Sequence, residues 1–207
     1  MSLKGKGPVH HLNRSRKAKM IEAFLEDELG GDIDGYRMLD IGCGNGQISN
    51  FFSQRNDVSG VDVEDKRTEE STDYDYQLIN DETLPFADHT FDIIISHHVI
   101  EHVTDQIAHL SEINRTLKPQ GLAYLGCPNK GSPFMAGHVG NDSVLTRQKA
   151  EELFAMTGFK WQETYTKFLS QPRRYHCELS IGQFIPEVAI KLLRPWYPSH
   201  CYILRRS

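Results

Sequence analysis

The segment Met38-Leu39-Asp40-Ile41-Gly42-Cys43-Gly44-Asn45-Gly46 constrains the fold more than any other part of the chain. It reads as a buried strand ending in an acid, then a glycine turn, then a helix starting near Gln47. Glycines at every second position allow positive φ and bring the backbone close to a ligand where a side chain would clash. The helix that follows aims unpaired N–H groups and the positive end of its dipole at the same place. In an α/β sheet that place is a nucleotide cleft beyond the carboxyl end of the first strand. The spacing is G-x-G-x-G, not the dinucleotide G-x-G-x-x-G. Asp40, two residues before the first glycine, suits a cationic group such as an α-ammonium and would repel a pyrophosphate.

Strand and helix patterns alternate through the rest of the chain. Residues 14–29 form an amphipathic pattern with Met20, Ile21, Phe24, Leu25 and Leu29 on one face, ended by Gly30-Gly31. Strands are expected at 36–41, 58–63, 76–79, 91–96, 122–127, 160–168 and 201–205, and helices at 47–55, 105–118 and 146–157. The stretch Glu64–Asp75 is too charged for a packed crossover helix and reads as a loop. With 207 residues the chain suits a single domain with a proper core. We divide it into an N-terminal helical cover (1–29), a core (30–128), a lid loop (129–145) and an insert before the last strand (170–199).

Composition narrows the function. A net charge of −5 argues against sequence-independent binding to nucleic acid, which needs a basic face. The basic cluster Arg14–Lys19 reads as a solvated helix start. Four scattered cysteines without a C-x-x-C pair fit reduced thiols and a cytoplasmic location. No apolar run approaches the ~20 residues of a membrane span, and the polar N-terminus lacks a signal-peptide core.

Two further blocks carry chemistry. Gly60-Val61-Asp62 places an acid at the tip of the second strand, where a ribose hydroxyl pair would be held. His98-Val99-Ile100-Glu101-His102 matches the inverted zincin signature H-x-x-E-H. The motif directly follows a buried strand instead of lying within a long helix, and no downstream acid is placed as a third ligand, so we expect no metal.

The order and spacing of Met38–Gly46, Gly60–Asp62, Leu84–Ser96, Val99–Val103 and Arg115–Asn129 resemble the class I S-adenosylmethionine-dependent methyltransferases. The likeness is to the broad group called methyltransferase type 11, and it covers roughly residues 36–130. It implies a Rossmann-like, mainly parallel seven-stranded sheet with helices on both faces. Its last strand would be antiparallel and inserted between strands 5 and 6. It implies methyl transfer from S-adenosyl-L-methionine, with S-adenosyl-L-homocysteine as product. Asp40 and the backbone of Gly42, Cys43 and Gly44 would face the methionine part, with Gly46 permitting close approach. Asp62 would take the ribose hydroxyls, and Asn80 or its neighbour Asp81 the adenine amino group. Ser96 and His97 would line the methionine and sulfonium region. The loop after Asp62 departs from the family's crossover helix and leaves any contact from residues 63–66 open.

The methyl acceptor is read only in outline. His98 and His102, beside the expected methyl position, are the candidates for removing a proton from a hydroxyl or ammonium acceptor. No N/D/S-P-P-Y/F/W follows strand 4, which argues against methylation of adenine or glutamine nitrogen. Cys127 follows strand 5, the wrong strand for a nucleophile on a pyrimidine. The apolar run Ile181–Leu193 could cover the sheet or meet a lipid-linked acceptor. The acceptor is therefore a small or lipid-linked molecule. A non-catalytic cofactor-binding module stays open, and a nicotinamide-dependent oxidoreductase is opposed by the glycine spacing.

Overall fold

The structure is a computed structural model that describes residues 14–67, 73–130, 144–163 and 199–207. Seven strands form one sheet in the order β3-β2-β1-β4-β5-β7-β6. They are β1 Arg37–Ile41, β2 Asp57–Asp62, β3 Asp75–Leu78, β4 Phe91–His97, β5 Leu117–Pro128, β6 Phe159–Glu163 and β7 Ser199–Arg206. Strands β1 to β5 run parallel, and β7 lies antiparallel between β5 and β6. This is the Rossmann-like architecture the resemblance implies. The chain order doubles back between β1 and β4, so their carboxyl ends flank the switch point where such sheets bind ligands.

Among the described residues four helices cover the sheet: α1 Arg14–Leu29, α2 Gln47–Ser53, α3 Gln106–Thr116 and α4 Arg147–Met156. Alternate residues of the strands point to opposite faces, and each face has its own apolar layer. Ile93, Ile95 and Tyr124 pack with Ile21, Phe24 and Leu25 of α1 and with Ile48 and Phe52 of α2. Ile94, Ala123 and Leu125 pack with Leu110 and Ile113 of α3 and with Leu153 and Phe154 of α4. Burial of the central strands on both sides explains the apolar run Ile93–Ile95 in the middle of β4. Strand β5 starts earlier than the expected Leu122. Leu117 already pairs with Phe91, and the register then shifts so that Leu122 faces Ile93. Pro119, which cannot donate to a ladder, sits in that irregular stretch. Among the described residues of 64–75 there is no helix, in keeping with the loop reading.

Two buried histidines set an acid limit on stability. Burial holds His109 down to about 4, and burial with the Arg147 charge does the same to His200. Both are neutral in the fold and take up a proton on unfolding once the pH drops below ~6.5. The unfolded chain then binds more protons, so stability is full above ~6.5 and falls as the pH approaches 4. The expected slope approaches about 1.4 kcal/mol per pH unit for each histidine. Denaturant titrations at several pH values check this. His200→Phe should flatten the profile by about one proton, and an unchanged slope contradicts the assignment.

Candidate active site

The glycine turn joins β1 to α2 with Gly42, Gly44 and Gly46 all at positive φ (70, 58 and 77°). Gly42 and Cys43 donate to the carbonyl of Val61 at 2.8 and 3.2 Å, and Gly46 caps α2 by accepting from Asn50. A Cβ on Gly42 would overlap Cγ2 of Val99, so the turn lies directly against the segment that follows β4. The first glycine therefore brings the β1 turn and the 98–103 turn together.

Asp40 lies beneath this turn. It is buried, and its Oδ2 accepts from Ser49 Oγ at 2.6 Å, which ties the end of β1 to the first turn of α2. Cys43 is also buried. Burial and the nearby Asp40 and Asp62 carboxylates push its thiol up to about 12, so it is an inert packing group.

Asp62 stands at the tip of β2. One carboxylate oxygen accepts from Gly44 N at 2.7 Å and the other from Glu64 N at 3.2 Å. Each oxygen keeps a further lone pair, so a hydroxyl pair can be taken up without breaking either bond. The neighbouring Val63 is 67% exposed and Leu78 at the tip of β3 is 57% exposed. An exposed apolar surface thus lies beside the carboxylate at the strand tips. Asp81 Oδ1 closes a local turn by accepting from Thr83 N at 2.8 Å. Asn80, next to it, is exposed, as is Asp81 itself.

At the end of β4 the residues divide between the faces. Ser96 is buried, with Oγ 3.2 Å from Nε2 of His109 on α3. His97 points the other way, its ring stacked at 5.9 Å on Tyr124 and its Nδ1 3.4 Å from the phenol oxygen. His98 adopts φ 60°, a conformation few non-glycine residues hold, and is fixed there by donating its N–H to Gly126 O at 2.8 Å. Its Nδ1 lies 3.1 Å from Oε1 of Glu101, and the same oxygen is 4.0 Å from Nε2 of His102. The Glu101 side chain is only 4% exposed, against 32% for His98 and 68% for His102.

Glu101 is the residue that the sequence reading did not assign. A buried carboxylate facing Nδ1 fixes the His98 tautomer with the proton on Nδ1 and the lone pair on Nε2. The available signal was an acid three residues after a histidine in a short turn. Residues 98–105 form turns, not a helix, and both imidazoles face the carboxylate. The H-x-x-E-H spacing thus lacks the helical face a zincin site uses, and no group of three or more His, Cys, Asp or Glu among the described residues is arranged to hold a metal. Most of the expected lid (129–145) and nearly all of the 170–199 insert lie outside the described residues. The two described ends of the 129–145 segment meet where Lys130 N donates to Leu145 O at 3.2 Å.

A family model described as a methyltransferase domain matches residues 39–125. A ubiquinone biosynthesis O-methyltransferase of Sinorhizobium fredii is 31% identical over 137 residues, covering 59% of this chain and 55% of that protein. Its namesake from Cereibacter sphaeroides is 29% identical over 153 residues, covering 67% of this chain and 62% of that protein. The chain thus spans 62% and 55% of the lengths of these two curated relatives. A solved Burkholderia thailandensis 1,6-didemethyltoxoflavin N1-methyltransferase, bound to that compound and S-adenosylhomocysteine, superposes with a TM-score of 0.60 at 15% identity. That superposition covers 94% of this chain and 80% of the other. Sheet order, motif spacing and the matched model make this chain similar, over residues 39–125, to the class I S-adenosylmethionine-dependent methyltransferases. Within that class the match is to the methyltransferase type 11 group.

Proposed function

We propose that the chain uses S-adenosyl-L-methionine to methylate a hydroxyl group on a small molecule, with His98 as the base. The observation that carries this reading is the His98–Glu101 pair, held beside the glycine turn by the Val99 contact. Gly42, Cys43 and Gly44 would cradle the methionine part, with Gly46 at the helix start and Asp40 supplying negative potential from below. Asp62 would hold the ribose hydroxyls, Val63 one face of the adenine and Asn80 its amino group, with Asp81 shaping the turn. His97 and the end of β4 would border the methyl position, with Ser96 supporting the strand from its buried side.

When bound, the cofactor supplies a methyl group already activated by the sulfonium. The protein's remaining tasks are to align the acceptor oxygen and to take its proton. His98 Nε2 accepts that proton, and the imidazolium so formed is stabilised by the Glu101 carboxylate at Nδ1. A ring hydroxyl with a pKa near ~10 suits an imidazole base better than an aliphatic alcohol does. The O-methyltransferase names of the relatives support the same oxygen chemistry. The apolar run 181–193 supports an acceptor with a lipid-like tail. The proximity of His102 to Glu101 gives it a supporting role in orienting the carboxylate.

The test is a screen with labelled methyl donor against ring hydroxyls, aliphatic alcohols and amines. Label in a ring hydroxyl supports the reading, label only in an amine overturns the acceptor class, and no label with tight cofactor binding supports a non-catalytic module. Asp62→Ala should weaken cofactor binding by roughly 1–3 kcal/mol, the range for charge-assisted hydrogen bonds, without unfolding the protein. Unchanged affinity with lowered stability would make Asp62 a structural residue.

A further inference from the structure

The loop between β3 and β4 is held by more side-chain bonds than its polar sequence suggests. Arg115 of α3 donates to the carbonyls of Leu84 and Phe86 and to the carboxylates of Asp88 and Glu112. Glu112 accepts in turn from Leu84 N at 2.8 Å. At the start of this loop, two residues after Asn80, Glu82 Oε1 accepts from Thr104 N at 2.7 Å and from Asp105 N at 3.3 Å. Asp105 itself caps α3 by accepting from Ile107 N and Ala108 N. Two carboxylates thus take four backbone N–H groups at the junction of the 98–105 turn with α3. The other end of that turn is held by His98 N on Gly126 O, and its middle by Gln106 Nε2 on Ile100 O.

Glu82 is a side-chain link between the adenine-side loop and the turn that carries His98 and Glu101. We propose that Glu82 is a positioning residue: it transmits occupation of the adenosine side, at Asn80 and Asp81, to the 98–105 turn and so sets the His98–Glu101 pair for the acceptor. This deepens the function proposed above and rests on it. The carboxylate lies two residues from the adenine-facing position and makes its bonds to backbone, so any shift of residues 80–82 is passed to the main chain of the turn and not to a mobile side chain. A displacement of about 1 Å at a reacting group can cost on the order of 100-fold in rate. Backbone N–H groups, its own first and then those of Thr104 and Asp105, lower the Glu82 carboxyl below the usual range against desolvation and the charge of Asp81, so it stays ionised.

The experiment compares the full chain with Glu82→Ala and Glu82→Gln. Gln keeps one oxygen able to accept from both N–H groups. Amide exchange over residues 98–108 is followed with and without S-adenosylhomocysteine, together with its affinity and the steady-state constants. In the parent protein the nucleoside should slow exchange at Thr104 and Asp105 and through the 98–103 turn. In Glu82→Ala that ligand-dependent slowing should vanish although the nucleoside still binds, and kcat should fall about tenfold or more with a smaller change in cofactor KM. Glu82→Gln should restore both to within about threefold. If the parent does not bind the nucleoside, the proposed function fails. If it binds and Glu82→Ala shows the same ligand-dependent protection as the parent, the coupling through Glu82 is wrong. Loss of thermal stability in Glu82→Ala with kcat unchanged would also overturn it, as a merely structural role.

Discussion

His98→Asn is expected to lower kcat by about 10²–10⁴-fold while leaving S-adenosylhomocysteine affinity nearly unchanged. Asparagine is chosen because the backbone at position 98 is left-handed, with φ 60°, and Asn tolerates that region better than most residues. The variant therefore keeps the turn and its bond to Gly126 O but loses the imidazole lone pair. Glu101→Gln should produce a smaller loss in the same direction, since a Gln can still orient Nδ1 but cannot balance the imidazolium charge. Steady-state rates with the best acceptor, paired with calorimetry, separate the outcomes. A kcat within a few-fold of the parent would remove His98 from the chemistry.

Gly42→Ala carries the second large effect, on stability and cofactor binding together. The residue sits at φ 70°, and a Cβ there meets Val99 Cγ2. The left-handed conformation costs roughly 1–2 kcal/mol for an L-residue, and overpacking a filled site costs typically about 1–3 kcal/mol. The sum predicts a stability loss of about 2–5 kcal/mol and a displaced 98–103 turn, so both affinity and turnover should fall. Gly30→Ala is the matched control. It has a similar φ of 72° but nothing within 4 Å of the added carbon, so only the backbone cost should appear. Equal losses in the two variants would show that the Val99 contact carries no weight.

Legibility in the sequence followed the range of the interactions. The glycine turn was readable because its three positive-φ positions, its preceding strand and its helix start are all local. Asp62 was readable because a strand tip is found from its apolar run, and its bond to Gly44 joins two motifs that the family pattern already pairs. The antiparallel placement of β7 between β5 and β6 came from the resemblance and not from periodicity, which gives no strand order. The burial of Glu101 against His98 was hidden, because a buried carboxylate and an exposed one look the same in a sequence. The Glu82 link spans 22 residues to Thr104, and the Arg115 link to Leu84 spans 31. Such contacts are set by how α3 lies on the sheet. The start of β5 was misplaced because the helix was expected to run to residue 118, whereas α3 ends at Thr116 and the strand begins at Leu117, passing Pro119 through an irregular register against β4. The bond that holds Asp40 beneath the turn, from Ser49 nine residues on, is likewise set by how α2 meets the end of β1.

The central claim is that the β1–β4 switch point is built for S-adenosylmethionine. Calorimetric titration of the purified chain with S-adenosylhomocysteine, S-adenosylmethionine and a nicotinamide dinucleotide tests it most directly. The account predicts one site per chain for both sulfur nucleosides, weakened in Asp62→Ala, and no heat with the dinucleotide. Binding of the dinucleotide with neither sulfur nucleoside bound would contradict it.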